Sequence, residues 1–116
     1  MVDGITAKGG TATGVIVDVT RREDVRRLTD TAVGRYGRLD VLVSIAGIMA
    51  VSPFDEVRQD DGDAMVATHV TGLLNGIGAA PPVCRRQGSG HFVTVGSTSA
   101  YVVKAPQAVH AAPRRR

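Results

Sequence analysis

The sequence has few aromatic and sulfur-containing side chains, with no tryptophan, two tyrosines, two phenylalanines and one cysteine. The cysteine, Cys84, cannot form an internal disulfide, and it has no neighbouring cysteine of the kind that zinc and redox motifs require. We therefore expect it to be a small hydrophobic filler. The three histidines, His69, His91 and His110, lack the spacing of a metal-ligand pair, so we expect no metal site.

Long apolar runs are also missing. None approaches the roughly 18 residues that a membrane-spanning helix needs. The first residues lack the basic stretch followed by an apolar one that marks a secretory signal. We therefore expect no membrane partner and a cytoplasmic location.

There is no charge excess outside the last residues. The chain has 14 Lys and Arg against 11 Asp and Glu, a net charge of +3, and the final three arginines account for all of it. A basic tail without interleaved aromatic residues is weak evidence for phosphate binding. We therefore expect no nucleic-acid partner.

Short apolar runs do alternate with helical periodicity along the chain. Gly9 and Gly10 follow a lysine in the pattern of a helix C-terminal cap. Residues 15–17 are apolar and β-branched, which is typical of a strand covered on both faces. Residues 39–43 and 91–95 are similar runs, so the sequence predicts three strands.

Two helices are predicted between these strands. Thr20 lies three residues before Glu23, the spacing of a capping box, and apolar residues then recur at helical period until Gly37. A longer helix is predicted over about residues 60–80, and Pro81-Pro82 should kink or loosen this helix near its end. One face of this helix would contain Met65, His69, Gly72, Leu73, Gly76 and Ala80. Because each glycine weakens a helix by about 1 kcal/mol relative to alanine, we expect close neighbours against that face.

The order strand, helix, strand, helix, strand predicts an α/β fold with a parallel sheet. We expect one domain over residues 1–112, followed by a basic tail at 113–116.

Three stretches, in order and correctly spaced, resemble the short-chain dehydrogenase/reductase family. They are Asp18-Val19-Thr20, residues 37–43 continuing into Ala46-Gly47, and residues 88–93. The resemblance implies part of a Rossmann-like, doubly wound parallel sheet of order 3-2-1-4-5, with strands 3 to 5 present and the N-terminal βαβ unit lacking. It also implies the NAD(P)-dependent oxidoreductase lineage, whose members interconvert small-molecule alcohols and carbonyls.

The same resemblance implies cofactor-binding positions. Asp18 and Val19 match the family positions that bind the cofactor adenine, although Asp18 as a cap of the next helix remains an alternative. Ser44, Ala46 and Gly47 match the turn that supports the sheet and the cofactor ribose. The choice between NAD and NADP remains open.

Catalytic positions are implied too, but three of the four are substituted. Ser97 matches the serine that polarises the substrate carbonyl. His110 and Arg114 stand where the family has a tyrosine and a lysine, and Pro113 interrupts the helix that would place them on one face. His69 stands at the family's helix asparagine, and a packed or half-exposed histidine without a catalytic role is its alternative interpretation.

No glycine-rich phosphate loop is predicted. The run from Gly9 to Gly14 has no strand before it and no helix after it, so we interpret it as a cap and turn. The sequence therefore predicts a truncated family member with doubtful cofactor binding and little or no activity alone. Two alternatives stay open: a non-catalytic module that forms homo-oligomers through the 60–80 helix, and one half of a split dehydrogenase.

Overall fold

The computed structural model describes residues 1–51, 56, 58–98 and 101. These residues form an α/β fold, as the sequence predicts. Its elements in chain order are α1 (Val2–Thr6), α2 (Arg22–Tyr36), β1 (Val41–Ser44), α3 (Gln59–Val66), a π-helical segment (Ala67–Thr71), α4 (Gly72–Gln87) and β2 (His91–Thr94).

The described strands β1 and β2 form a parallel pair, which confirms the predicted parallel sheet. Val41 lies opposite His91, and Ser44 lies opposite Thr94. The ladder continues past the strand ends, because the Val95 amide donates to the Ser44 carbonyl at 3.0 Å. The helices α3 and α4 form the crossover between the strands, as a parallel connection requires.

The predicted strand at residues 15–17 is wrong for the described structure, in which these residues belong to no strand. A strand forms only with a hydrogen-bonded neighbour. In the implied sheet of order 3-2-1-4-5, residues 15–17 would be strand 3, whereas β1 and β2 would be strands 4 and 5, so this segment is adjacent to neither. The Ile16 carbonyl accepts instead from Arg27 Nη2 at 2.8 Å, and the Ile16 side chain is 95% exposed.

The described core lies between α2, α4 and one face of the sheet. Helix α4 contacts both α2 and β1. The opposite face of the sheet is exposed at Val41, Val43 and Val93. The core cluster consists of Leu39, Ala80 and Val83, with Ala32, Val33, Leu42 and Phe92 packed against it.

The 60–80 helix forms, but its predicted end is wrong. It runs from Gln59 through the π-helical segment and the two prolines to Gln87, where Gly88 ends it at φ 76°. Its late end is held by Gln87, whose Oε1 accepts from the Leu39 amide at 2.8 Å and whose Nε2 donates to the Leu39 carbonyl at 2.9 Å. None of the described helices combines the length and hydropathy needed to cross a bilayer.

Gly72 and Gly76, the two glycines of the predicted helix face, have the close neighbours that the sequence predicts. A Cβ added to Gly76 would lie 3.4 Å from Leu42 Cδ2 and 3.5 Å from Phe92 Cζ. A Cβ added to Gly72 would lie only 2.8 Å from Val19 Cγ2. The missing side chains at Gly76 and Gly72 therefore let α4 lie close to the sheet and to the segment before α2.

The predicted capping box of α2 does not form. The helix begins at Arg22 after Arg21, without a side-chain cap, because the Thr20 hydroxyl donates to Asp18 Oδ1 at 2.7 Å instead. The predicted end is correct, since Gly37 adopts the left-handed conformation at φ 80° and terminates α2.

Candidate functional site

The segments that follow β1 and β2 leave the sheet at the same edge. Because the strands are parallel and Ser44 pairs with Thr94, the turn containing Ala46 and Gly47 lies at the same end of the sheet as half-buried Ser97. In open α/β sheets, ligands bind in the crevice beyond these carboxyl ends. The structure therefore brings four of the sequence-predicted site residues to one edge.

Asp18 forms a compact turn with the residues that follow it. Its Oδ1 accepts from the Thr20 amide at 2.9 Å and from the Thr20 hydroxyl at 2.7 Å. Its carbonyl accepts from the Arg21 amide at 3.0 Å, and its own amide donates to Asp24 Oδ2 at 3.0 Å. We call residues 18–20 the Asp18 turn; it is an Asx-type turn stabilised by its own first side chain.

These contacts keep the Asp18 carboxylate charged and accessible. The side-chain hydrogen bond from Thr20, then its backbone amide and the nearby charge of Arg21, lower the pKa of Asp18 below its ordinary value of 3.8. The side chain stays exposed to solvent. Asp18 therefore does not cap α2, which begins after Arg21 without a side-chain cap, so the capping alternative is wrong. Its carboxylate stabilises its own turn instead and is able to accept hydrogen bonds from a ligand.

Helix α4 also holds the Asp18 turn, in addition to Asp24 of α2. Asn75 is 7% exposed, and its Nδ2 donates to the Val19 carbonyl at 2.9 Å. Sequence reasoning missed Asn75. The signal was present, because it is a polar residue three positions after Gly72 on the buried face of a helix, and a buried amide needs a partner.

His69 joins the same helix to the segment after β1. It lies half-buried in the π-helical segment, with Nε2 2.8 Å from the Ile48 carbonyl. Since a carbonyl only accepts, Nε2 carries the proton in this contact. A π-helical turn often occurs at functional sites. His69, one of the predicted catalytic residues, therefore lies next to the Ala46–Gly47 turn.

Two predicted catalytic residues, His110 and Arg114, lie outside the described residues, as does Pro113 between them. The same holds for the predicted tail at residues 113–116. Among the described residues, no group of three His, Cys, Asp or Glu side chains could hold a metal ion.

The described residues fit only part of a dinucleotide. The exposed Asp18 carboxylate and the two strand ends are the positions where the family resemblance predicts contacts with the adenine and the ribose. The glycines after α1 instead close a helix, with Gly9 at φ 81° and the Gly10 amide donating to the Ile5 carbonyl at 3.0 Å. No helix follows them over residues 11–18, so this segment does not form the strand, turn and helix that bind a pyrophosphate.

Comparisons with known proteins agree with this architecture. The sequence profile described as short chain dehydrogenase matches residues 1–113. An uncharacterised oxidoreductase of Staphylococcus saprophyticus is 39% identical over 93 residues, which are 80% of this chain and 38% of that protein. Another, from Listeria monocytogenes, is 37% identical over 99 residues, which are 85% of this chain and 40% of that protein.

A solved structure extends the likeness to three dimensions. The crystal structure of a short-chain type dehydrogenase/reductase from Mycobacterium marinum matches with a TM-score of 0.91 at 28% identity, covering 98% of this chain and 47% of that one. The chain thus spans less than half the length of these relatives. On this profile, sequence and structural similarity, the chain belongs to the short-chain dehydrogenase family.

Proposed function

We propose that this chain supplies one edge of an NAD(P)-dependent alcohol/carbonyl oxidoreductase site in a cytoplasmic protein. Asp18 and Val19 would meet the adenine, and Ser44, Ala46 and Gly47 would line the ribose region. The observation that supports this best is the parallel register of β1 and β2, which places both strand ends at one edge.

Ser97 is the proposed carbonyl-binding group of this edge. It follows β2 at the carboxyl end of the sheet, and its hydroxyl can donate a hydrogen bond to a substrate oxygen. A donor aimed at an oxygen that gains negative charge during reduction lowers the barrier to that step. We propose a small-molecule alcohol or carbonyl compound as the substrate class.

We further propose that a polypeptide of these 116 residues has little or no activity by itself. The family's proton donor and its helper are replaced by His110 and Arg114. An imidazole with an ordinary pKa of about 6.5 can exchange a proton, but its reach is shorter than that of a phenol. A guanidinium is planar and bulkier than an ammonium, so it does not replace a lysine conservatively.

Thermal unfolding with and without NAD and NADP tests the cofactor part of this proposal. A ligand at 100 times its dissociation constant stabilises a protein by about 2.7 kcal/mol, which a melting curve detects easily. We expect no rise in the midpoint at sub-millimolar dinucleotide, with a full-length family member as the positive control. A clear, saturable rise with either dinucleotide would show that these 116 residues bind the cofactor by themselves, which would contradict their proposed incompetence but support the proposed adenine contact.

A second candidate function is self-association through the long helix. Its exposed apolar residues recur every three to four positions, at Val66, Val70, Leu74 and Ile77, with 46%, 37%, 59% and 45% exposure. Such spacing produces an apolar stripe on a helix. Single exposed apolar residues are ordinary, but a stripe of them is typical of an interface.

Light scattering after size-exclusion chromatography tests this candidate. We expect a dimer that Leu74→Glu converts to monomer, because the substitution places a charge in the stripe. Ile16→Glu is the matched control, since Ile16 is exposed but lies outside the helix. A monomeric unaltered chain at high concentration would contradict self-association.

A further inference from the structure

We propose that Asn75 is a positioning residue that holds the Asp18 turn against α4 and so fixes where the Asp18 carboxylate points. The inference rests on the adenine-binding role proposed above for Asp18. It adds Asn75 of α4, 57 positions from Asp18 along the chain, to the residues that shape the proposed adenine region.

The first observation is the contact itself. Asn75 Nδ2 donates to the Val19 carbonyl at 2.9 Å, and Asn75 is 7% exposed. A buried amide is costly unless it is hydrogen-bonded, so the side chain and the Val19 carbonyl constrain each other. Val19 is the middle residue of the Asp18 turn, and holding its carbonyl fixes the plane of the Val19–Thr20 peptide, which carries the Thr20 amide that donates to Asp18 Oδ1.

The second observation is the glycine three residues before Asn75. Gly72 is buried, and a Cβ there would lie 2.8 Å from Val19 Cγ2 and 3.2 Å from Val19 Cβ. The absence of a side chain at Gly72 lets Val19 approach α4 closely enough for Asn75 to reach its carbonyl. The hydrogen bond from Asn75 and the close approach at Gly72 both involve Val19, so both lie on the same face of α4.

The turn is also held from α2. The Asp18 amide donates to Asp24 Oδ2 at 3.0 Å. The residues on its N-terminal side, 11–17, form neither helix nor strand in the described structure. The contacts from α2 and α4 are therefore what hold the turn in place, and Asn75 provides the α4 side.

The test follows the Asp18 carboxyl by carbon-detected NMR during a pH titration of the full chain. In the unaltered chain, the Thr20 hydrogen bonds lower the pKa of Asp18. We expect Asn75→Ala to raise this pKa towards its ordinary value, because the released turn no longer holds Thr20 over the carboxylate. An Asp18 pKa that is unchanged in folded Asn75→Ala would overturn the proposal.

Gln87→Ala is the matched control, because it also removes a side-chain amide of α4 that bonds a distant backbone carbonyl. It lies at the other end of the helix, so it lowers stability without touching the Asp18 turn. We expect it to leave the Asp18 pKa unchanged. An equal rise in both variants would mean that general destabilisation moves Asp18, and would overturn the positioning role.

A second measurement needs no variant and so does not depend on Asn75→Ala folding. We expect a scalar coupling through the hydrogen bond between Asn75 Nδ2 and the Val19 carbonyl carbon in the unaltered chain. Its absence, with the backbone couplings of α4 present, would overturn the proposal. Neither measurement involves a dinucleotide. Evidence that Asp18 does not contact the adenine would therefore refute the proposed function and leave the hydrogen bond from Asn75 and its effect on the Asp18 pKa standing.

Discussion

The same substitution, glycine to alanine, is expected to have opposite effects at different positions of α4. At Gly78 an added Cβ would meet no atom within 4 Å. At Gly76 it would make ordinary contacts, with Leu42 Cδ2 at 3.4 Å and Phe92 Cζ at 3.5 Å. At Gly72 it would lie 2.8 Å from Val19 Cγ2, which is closer than carbon atoms pack.

The magnitudes follow from two opposing effects. Alanine is favoured over glycine in a helix by about 1 kcal/mol, so Gly78→Ala should raise the free energy of unfolding by roughly that amount. Gly76→Ala should be neutral or stabilising, since its added methyl group fills space without a clash. Overpacking costs about 1–3 kcal/mol, so the free energy of unfolding of Gly72→Ala should be lower than that of Gly78→Ala by about this amount.

Urea unfolding followed by the helical circular dichroism signal measures these differences, with each variant compared with the unaltered chain. Helix propensity is common to Gly72→Ala and Gly78→Ala, so the difference between them isolates the contact with Val19. If Gly72→Ala were as stable as Gly78→Ala, Val19 would not lie against α4, and the assembly of the Asp18 turn on that helix would be refuted.

Three further substitutions test other contacts. Gln87→Ala removes both hydrogen bonds to the Leu39 backbone; at about 0.5–1.5 kcal/mol each, urea unfolding should show a loss of about 1–3 kcal/mol, and no loss would contradict the contact. Gly90→Ala should lower the thermal midpoint, because its Cβ would lie 2.6 Å from Cys84 Cβ, and an unchanged midpoint would contradict this packing. Folding lowers the pKa of Asp18, so its stabilising contribution is present above the ordinary pKa of 3.8 and is lost as pH falls through the lowered value. Asp18→Asn should therefore weaken the acid dependence of stability below that pH, and an unchanged dependence would contradict the Thr20 contacts.

The elements that sequence reasoning predicted correctly are those whose signals are local. Helix α2 has its apolar period and ends at Gly37, and the paired strands follow from two apolar runs joined by a helix. The segment at residues 15–17 has an equally clear apolar run but is no strand, because strand formation depends on a neighbour that residue patterns cannot supply. The end of α4 was misjudged because Gln87, bonded to distant Leu39, extends the helix past its prolines.

The candidate site divides in the same way. The positions of Asp18, Ser44 and Ser97 came from the family resemblance, and the parallel register places the last two at one edge. The capping box failed because Asp18 competes for the Thr20 hydroxyl, a local choice that spacing alone does not decide. Asn75 was missed because its partner, the Val19 carbonyl, is distant in sequence.

The most direct test of the account is a turnover assay of the 116-residue polypeptide with NAD or NADP and a panel of small alcohols, following the absorbance of reduced nicotinamide. The account predicts that no more reduced nicotinamide forms than in a protein-free control. The reason is that the described residues provide the carboxyl edge of the sheet but no turn that binds a pyrophosphate. Reduced nicotinamide that forms in proportion to the polypeptide, and that Ser97→Ala abolishes, would contradict it.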